Sequence, residues 1–493
     1  SSDEAGQRPQ SQGTQESECV KEGSMQNKPT TVPQAKQVGE VRARWAWTEA
    51  SVWTDRMLAA LENGVKGDVW FSLIDKVYNP GNLRAAWIAS ARNGGSAGVD
   101  EITIEQFGRE VETNIGRLSE QLKLGTYQPK AIRRVYIPKA DGTQRPLGIP
   151  TVGDRIAQGA VRQVIEPIFE KQFAAQSYGF RPGRSCRDAL RRVQQLLSEG
   201  HRYVVDADLK SYFDAIPHRR LMEQVQRRVA DGRVLKLIQS FLDAKVMEGT
   251  EQWTPVAGAP QGAVLSPLLS NIYLDPLDHQ MAAAGHQMVR YADDFVILCK
   301  TKEQAQAALE AVATWTAQAG LTLHPAKTRI VDSRVLPFEF LGYRFERGRR
   351  FPRDKSMRKL RDTIRAKTGR SDGRMLRVII ADVNRTLRGW FGYFKHSYRH
   401  VFLRVDKWVR GRLRSLLRKR HKHRGMARWS DQQRWTNAYF AGQGLISLKQ
   451  AHALARQSAQ AAHRLESRMR EIRPSGLAGG EAETNRPSLP RSA

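Results

Sequence analysis

Two adjacent carboxylates lie inside an apolar run near the middle of the chain. The stretch "VRYADDFVILC" (289–299) places Asp293 and Asp294 between apolar flanks. Apolar flanks around a short polar centre are typical of two strands joined by a tight turn, with the aspartates at the bend. Aspartate also favours ordinary turns, so this stretch alone leaves a turn and a chemical site equally open.

A second aspartate-bearing strand favours the chemical interpretation. In "YVVDADLKSYFDAIP" (203–217), Asp206 and Asp208 share one face by the period of two, and Asp214 falls where a helix could start. Adjacent strands ending in Asp208 and Asp293 would bring carboxylates together, which is costly unless cations bind there. Oxygen ligands suit Mg²⁺, and two divalent ions about 4 Å apart are the device of polymerases and nucleases.

The elements that must position these residues alternate along the chain. Strands are predicted at 135–138, 203–207 and 288–291, and helices at 154–172 and 217–230. Thr103, with Gln106 three residues later, is typical of a helix N-cap. The predicted fold class is therefore α+β.

Composition limits the class of partner. The 493 residues carry 80 Lys and Arg against 50 Asp and Glu, a formal charge of +30 that indicates a polyanion, with nucleic acid favoured over an anionic membrane. The three cysteines (Cys19, Cys186 and Cys299) are far apart, which argues against a disulfide framework or a cysteine zinc site. No apolar run of membrane-spanning length is present, so a cytoplasmic location is expected.

Most of the excess charge lies in one segment. Residues 344–428 hold 29 Lys and Arg and 6 Asp and Glu, which is a surplus of 23 out of 30. The apolar spacing there predicts three amphipathic helices with basic outer faces. Linked to an enzyme-like domain, such helices indicate a grip on RNA or DNA.

The motifs together resemble the reverse transcriptases encoded by group II introns, also called maturases. The resemblance covers about residues 93 to 425, and a lone Y-x-D-D would be much weaker evidence than these motifs in order. In chain order they include "GSAGVD", "IPKADGTQRPLGIP", "SYGFRPGRSCRDAL", "DLKSYFD", "PQGAVLSPLLSN", "RYADD", "LTLHPAKT" and "FEFLGYRF".

The resemblance implies a right-hand polymerase with an α-helical thumb. It implies fingers and palm (45–345, core motifs 93–345), a basic helical thumb or maturase domain (346–425) and a small DNA-binding region (426–475). The polar composition of the two ends predicts disordered tails at 1–44 and 476–493. Many relatives carry a C-terminal endonuclease with zinc-spaced cysteines. No cysteine follows Cys299, so the compact class without that domain is expected.

The resemblance also implies the catalytic set. Asp208 and Asp293 would be the principal ligands of two Mg²⁺ ions, with Mn²⁺ as a substitute, and Asp294 the third member. Because neighbouring strand residues face opposite sides, only one of the adjacent pair should point squarely at the site. Asp206 and Asp214 are expected to be structural.

Five residues match the family's nucleotide site. Lys139 and Arg145 flank the predicted Asp141-Gly142 hairpin and would meet the triphosphate, although two exposed hairpin charges would look the same. They are joined by Gln261 beside the incoming nucleotide, Phe213 under the sugar, where it would exclude a 2′-hydroxyl, and Lys327 near the pyrophosphate. A core aromatic is the alternative for Phe213.

Candidate RNA contacts lie in two further motifs. In "YGFRPGRSCRDAL" the arginines Arg181, Arg184 and Arg187 surround a Pro-Gly turn, and the family interpretation is template contact rather than a solvated loop. Lys395 and Arg399, in and after "LRGWFGYFKHSY", would bind intron RNA. Such binding should be steeply dependent on salt.

The predicted function is an RNA-directed DNA polymerase that binds its parent group II intron RNA, assists splicing and copies the intron into DNA for mobility. Its partners would be the intron RNA, an RNA template with a DNA primer, dNTPs and a target DNA, with no membrane. One alternative is a splicing maturase with a vestigial polymerase, which should have lost catalytic aspartates. The other is a domesticated reverse transcriptase in defence or repair, whose core would look the same.

Overall fold

A computed structural model describes residues 35–138, 142–421 and 429–471. The predicted N-terminal tail is partly wrong, because its last ten residues form the helix Ala35–Arg44. The rest of that tail, the C-terminal tail from residue 476 and Lys139 lie outside the described residues.

The described residues form a mixed α and β structure, as predicted. The strands are β1 (Ile132–Pro138), β2 (Gln144–Ile149), β3 (Tyr203–Asp208), β4 (Val246–Glu248), β5 (Glu251–Trp253), β6 (Gln287–Tyr291), β7 (Asp294–Cys299), β8 (Arg329–Asp332), β9 (Phe338–Phe340), β10 (Tyr343–Glu346) and β11 (Arg349–Pro352). The helices are α1 (Ala35–Arg44), α2 (Asp55–Asn63), α3 (Ile74–Val77), α4 (Pro80–Asn93), α5 (Ile104–Arg109), α6 (Val111–Leu124), α7 (Val152–Glu170), α8 (Cys186–Ser198), α9 (Tyr212–Ala215), α10 (His218–Gln226), α11 (Gly232–Leu242), α12 (Ser266–Ala283), α13 (Lys302–Gln318), α14 (Asp354–Lys367), α15 (Leu376–Phe394), α16 (His400–Arg420), α17 (Trp429–Arg434), α18 (Asn437–Gly442) and α19 (Leu448–Glu471).

The central sheet has the strand order β6-β7-β3-β8, with every neighbouring pair antiparallel. The residues of β3 and β7 alternate between two cores, as the period of two requires. Val205 and Phe295 face the large core that includes α12 and α13, whereas Val204 and Val296 face a smaller core under α8. By the same alternation, Asp208 and Asp294 lie on the α8 side.

A second sheet has the order β2-β1-β4-β5; β1 and β2 precede the central sheet in sequence, whereas β4 and β5 lie between β3 and β6. Its β1–β2 pair is antiparallel from Arg133↔Ile149 to Pro138↔Gln144, which confirms the predicted hairpin. The helix predicted over 154–172 is α7, and the capping box at Thr103 and Gln106 is present.

The three predicted basic helices are confirmed as α14, α15 and α16. Their apolar faces share a core with Trp435, Phe440 and Leu448, which come from the region predicted to bind DNA. That region therefore packs on the helical domain and does not form a core of its own in the part described; its DNA binding stays a prediction. The "FEFLGYRF" hairpin is β9–β10, extended to three strands by β11.

Nowhere in residues 35–138, 142–421 and 429–471 does a helix combine the length and the apolar character needed to cross a bilayer.

Candidate active site

The β6–β7 hairpin brings the aspartate pair to the end of β3. Tyr291 pairs with Asp294, so Ala292 and Asp293 form a two-residue turn, and Ala292 adopts the left-handed conformation at φ 59°. Asp294 pairs directly with Asp208. The predicted hairpin is confirmed, with one change: Asp293 lies in the bend and Asp294 is the first residue of β7.

The carboxylates lie close enough to perturb one another. The pKa of Asp294 is raised to about 7, mainly by burial and then by the charges of Asp293, Asp206 and Asp208, against a backbone hydrogen bond from Leu341 that lowers it. Burial, and then Asp208, also raise the pKa of Asp293. A cluster of this kind holds its charge poorly by itself and is stabilised by a bound cation.

Two basic side chains at and just before the start of β8 form ion pairs with the carboxylates of β3. Lys327 Nζ lies 2.5 Å from Asp208 Oδ2, and Arg329 Nε lies 3.5 Å from Asp206 Oδ2. Within the described ranges, no three His, Cys, Asp or Glu side chains are already gathered as a metal cage. Asp208 instead forms an ion pair with Lys327.

Two of the predicted nucleotide residues are hydrogen-bonded to each other. Arg145 Nε donates to Gln261 Oε1 at 2.8 Å, and the backbone N–H of Gly148 donates to the Gln261 carbonyl at 2.6 Å. Gly262 has φ 106°, and a Cβ there would lie 2.5 Å from the Gly148 oxygen. Glycine is therefore needed for the 260–263 loop to approach the β1–β2 hairpin this closely.

Phe213 lies in α9, shortly after β3, and is 8% exposed. Its carbonyl accepts a hydrogen bond from Ala259 N–H at 2.7 Å, and a Cβ on Gly258 would lie 2.9 Å from that same oxygen. The loop that carries Gln261 is thus fixed against the α9 backbone. The position of Phe213 beside this loop is compatible with both interpretations of the side chain, as a core aromatic and as a contact to the nucleotide sugar.

The prediction that Arg181 contacts template is wrong. Arg181 is buried, pairs with Glu170 through Nε and Nη2, and donates to the carbonyls of Phe173, Ala174 and Ser177. All five donors of its guanidinium are used inside the protein. The pattern "FRPG" carries no signal for this burial, because the partners lie in the preceding helix and loop.

The other predicted RNA contacts differ in exposure. Arg184 is half-buried and donates to the carbonyls of Ala175 and Ser177, so it too serves the loop. Arg187 is exposed and donates to the Gly392 carbonyl of α15, which joins the palm to the helical domain. Lys395 and Arg399 flank the α15–α16 connection; Lys395 is half-buried and Arg399 exposed.

One residue of the site was not singled out from sequence. Arg290, in β6, is fully buried and pairs with Asp278 of α12, with Nη2 to Oδ2 at 2.5 Å. A signal was available in "VRYADD", since an arginine inside an apolar strand needs a counter-charge.

Two family models match successive parts of the chain. Residues 137–345 match the family described as "Reverse transcriptase (RNA-dependent DNA polymerase)", and residues 357–435 match "Group II intron, maturase-specific domain". Protein YkfC of Escherichia coli is 34% identical over 346 residues, which covers 62% of this chain and 87% of YkfC. The chain belongs to the group II intron-encoded reverse transcriptase family.

Two further matches cover a smaller share of this chain. Group II intron-encoded protein LtrA of Lactococcus lactis is 40% identical over 190 residues, 38% of this chain and 31% of LtrA. Among solved structures, a chain of a partial Cas6-RT-Cas1–Cas2 complex matches at 27% identity with a TM-score of 0.33, over 50% of this chain and 41% of that one.

Membership in this family establishes the enzyme class. The chain is an RNA-directed DNA polymerase joined to a maturase domain, and members of the class use divalent metal ions and bind nucleic acid.

Proposed function

We propose that Asp208, Asp293 and Asp294 hold two Mg²⁺ ions, with Mn²⁺ as a substitute, and that the chain copies RNA into DNA there. The observation that carries this proposal is the register of the palm sheet, in which Asp208 pairs with Asp294 beside the turn that presents Asp293. The donor set fits, since carboxylate oxygens are the ligands Mg²⁺ prefers. When bound, the ions would activate the primer 3′-hydroxyl and neutralise the charge of the departing pyrophosphate.

The surrounding side chains orient the nucleotide. Arg145, held by Gln261, offers a planar cation to the triphosphate, and Lys139 would act beside it from the same hairpin. When a nucleotide binds, the Lys327 ammonium leaves its ion pair with Asp208 and contacts the pyrophosphate group. Phe213 lies under the sugar and excludes a 2′-hydroxyl.

In this proposal the helical domain binds the RNA partner. The basic outer faces of α14, α15 and α16 bind the phosphates of the parent intron RNA, with Arg399 and Lys395 at their connection and Arg187 beside it. In this proposal the same chain assists splicing and then copies the intron at a target DNA. The two described cysteines, Cys186 and Cys299, are free thiols, which supports a reducing, cytoplasmic compartment.

Primer extension on an RNA template tests the polymerase assignment. Replacing Asp208, Asp293 or Asp294 by Asn should each lower kcat on the order of a hundred- to a thousand-fold, because each change removes a negative charge that would hold the metal ions, and the ions would stabilise the transition state. Asp206→Asn is the matched control: it lies on the same face of β3 but pairs with Arg329, so extension should persist. Equal losses for Asp206→Asn and Asp208→Asn would contradict the ligand set.

A splicing assay with the same variants separates the two activities. If the vestigial-polymerase alternative held, the wild-type chain would assist splicing without extending a primer. The present proposal expects both activities in the wild type, and expects splicing to survive Asp293→Ala.

A further inference from the structure

The turn that carries Asp293 is anchored from inside the protein. Arg290 precedes the turn in β6, is 0% exposed, and donates from Nη1 to the Ala292 carbonyl at 2.9 Å. Its other donors reach Asp278 (Nε to Oδ1, 2.8 Å), Asn271 (Nη1 to Oδ1, 3.0 Å) and Ser177 (Nη2 to Oγ, 2.8 Å). We call Arg290, Asp278, Asn271 and Ser177 the Arg290 network.

The network holds a backbone conformation that the sequence does not favour. Ala292 has φ 59°, where a residue with a Cβ is disfavoured by about 1–2 kcal/mol. A glycine would adopt this conformation freely, yet the position is alanine. The bond from Arg290 to the Ala292 carbonyl fixes the peptide that leads into Asp293.

The backbone segment around Tyr178 and Gly179 also packs against the turn. Tyr178 N–H donates to the Arg290 carbonyl at 2.9 Å, and Asn271 Nδ2 donates to the Gly179 carbonyl at 2.8 Å. Gly179 lies so close that a Cβ on it would be 2.2 Å from the Ala292 nitrogen. Asn271 therefore joins the guanidinium to the segment that covers the turn.

Stability alone does not account for a buried pair of this kind. Removing an arginine and an aspartate from water costs several kcal/mol per ion, and apolar replacements of similar volume are often as stable or more so. What an apolar pair cannot do is donate to the Ala292 carbonyl. The network's distinctive contribution is thus geometric.

We infer that Arg290, oriented by Asp278 and Asn271, is a positioning residue that sets where the Asp293 carboxylate lies relative to Asp208. The inference rests on the proposed role of Asp293 as a metal ligand. Arg290 itself touches neither substrate nor metal. Loss of Arg290 should weaken metal binding and slow the chemical step, while the affinity for nucleic acid stays unchanged.

The test compares the double variant Arg290→Met/Asp278→Leu with wild type. Mn²⁺ binding is monitored by the decrease in the EPR signal of free Mn²⁺. We expect the double variant to bind Mn²⁺ about 10- to 100-fold more weakly than wild type, as when residues that support the ligands are removed from a metal site. The kcat of primer extension should fall similarly, and the primer–template Kd from fluorescence anisotropy should not change. The matched control is Arg418→Met/Asp431→Leu, a buried ion pair of the helical domain that shares no residue with the Arg290 network, and its Mn²⁺ affinity should not change.

Two further variants keep the inference open to contradiction. Arg290→Lys retains the charge but has three donors instead of five, so it should not restore Mn²⁺ affinity; full restoration would overturn the geometric role. Asn271→Ala leaves the ion pair in place and should shift Mn²⁺ binding in the same direction, which serves if the double variant does not fold. Unchanged Mn²⁺ affinity in a folded Arg290→Met/Asp278→Leu protein would also overturn the inference.

Failure of the proposed function would look different. If Asp293→Asn left Mn²⁺ binding and extension unchanged, Asp293 would not be a ligand, whatever the Arg290 variants did. If Asp293→Asn abolished both and the Arg290 variants had no effect, only the positioning role would fail.

Discussion

At the scale of single residues, the period of two predicts that Asp206 and Asp208 share one face of their strand, as they do in β3. The structure adds Asp294, which pairs with Asp208, where the sequence pointed to Asp293. The period does not predict which basic residue forms an ion pair with each carboxylate. Lys327 contacts Asp208 across 119 positions of sequence, and Arg329 contacts Asp206 across 123. Such pairings are set by how β8 and the preceding loop pack on β3, which no local pattern encodes.

Phe213 carries a prediction at this scale. Replacement by Val should lower discrimination against ribonucleotides about tenfold or more, because a smaller side chain leaves room for a 2′-hydroxyl. The measurement is the ratio of kcat/KM for a dNTP and the matching rNTP on one template. Tyr212→Phe is the control, since Tyr212 is a buried neighbour whose hydroxyl donates to the Ser270 carbonyl. An unchanged ratio in Phe213→Val would leave Phe213 as a core aromatic.

At the scale of elements, the sequence predicts those whose signals are local. The β1–β2 hairpin, the capping box at Thr103 and the three basic helices all follow from periodicity and turn residues. The Arg290 network could not be predicted, because Ser177 lies 113 positions from Arg290. The burial of Arg181 was missed for a related reason: a basic loop motif does not show whether its loop packs inward.

Asp231 carries the prediction for elements. Its carboxylate accepts from the N–H groups of Arg233 and Val234 at the start of α11, and from Leu73 and Ile74 at the start of α3. It therefore fixes two helices together. Asp231→Ala should lower the free energy of unfolding at pH 7 by about 1–3 kcal/mol, as expected for a lost cap and unpaired buried donors. Urea denaturation measures the change, and Asp231→Asn, which still accepts, should lose less.

The pH dependence of the Asp231 effect follows from its pKa. Burial would raise the pKa of Asp231, but the four backbone donors outweigh burial and hold it below the usual 3.8. Because the folded-state value is the lower one, the stabilisation is complete above about pH 4 and is lost as pH falls through the folded pKa. The difference between wild type and Asp231→Asn should therefore shrink from pH 5 to pH 3. A difference that grows toward acid pH would contradict this.

At the scale of the whole molecule, the palm and the helical domain are joined by contacts that cross between them. Tyr343 of β10 and Tyr393 of α15 each donate from the hydroxyl to a backbone carbonyl on the other side, Tyr393 and Leu341 respectively. The region after residue 429 is attached as well, since Asp406 of α16 accepts from Ser447 and from the N–H of Leu448 at the start of α19. In the proposed function, RNA bound to the helical domain would therefore lie at a defined distance from the carboxylates.

The positive charge of the helical domain gives the last prediction. Lys355 and Lys359 lie exposed on α14, so each can neutralise a phosphate of bound RNA. In Lys355→Ala/Lys359→Ala, the slope of log Kd against log salt concentration should fall by about 2, roughly one for each lost contact. Binding should weaken for structured RNAs generally, because phosphate contacts carry no sequence information. The control is Lys300→Ala/Lys302→Ala, an exposed pair at the start of α13 in the palm. Equal losses of slope in both double variants would mean that binding follows net charge and is not localised on α14.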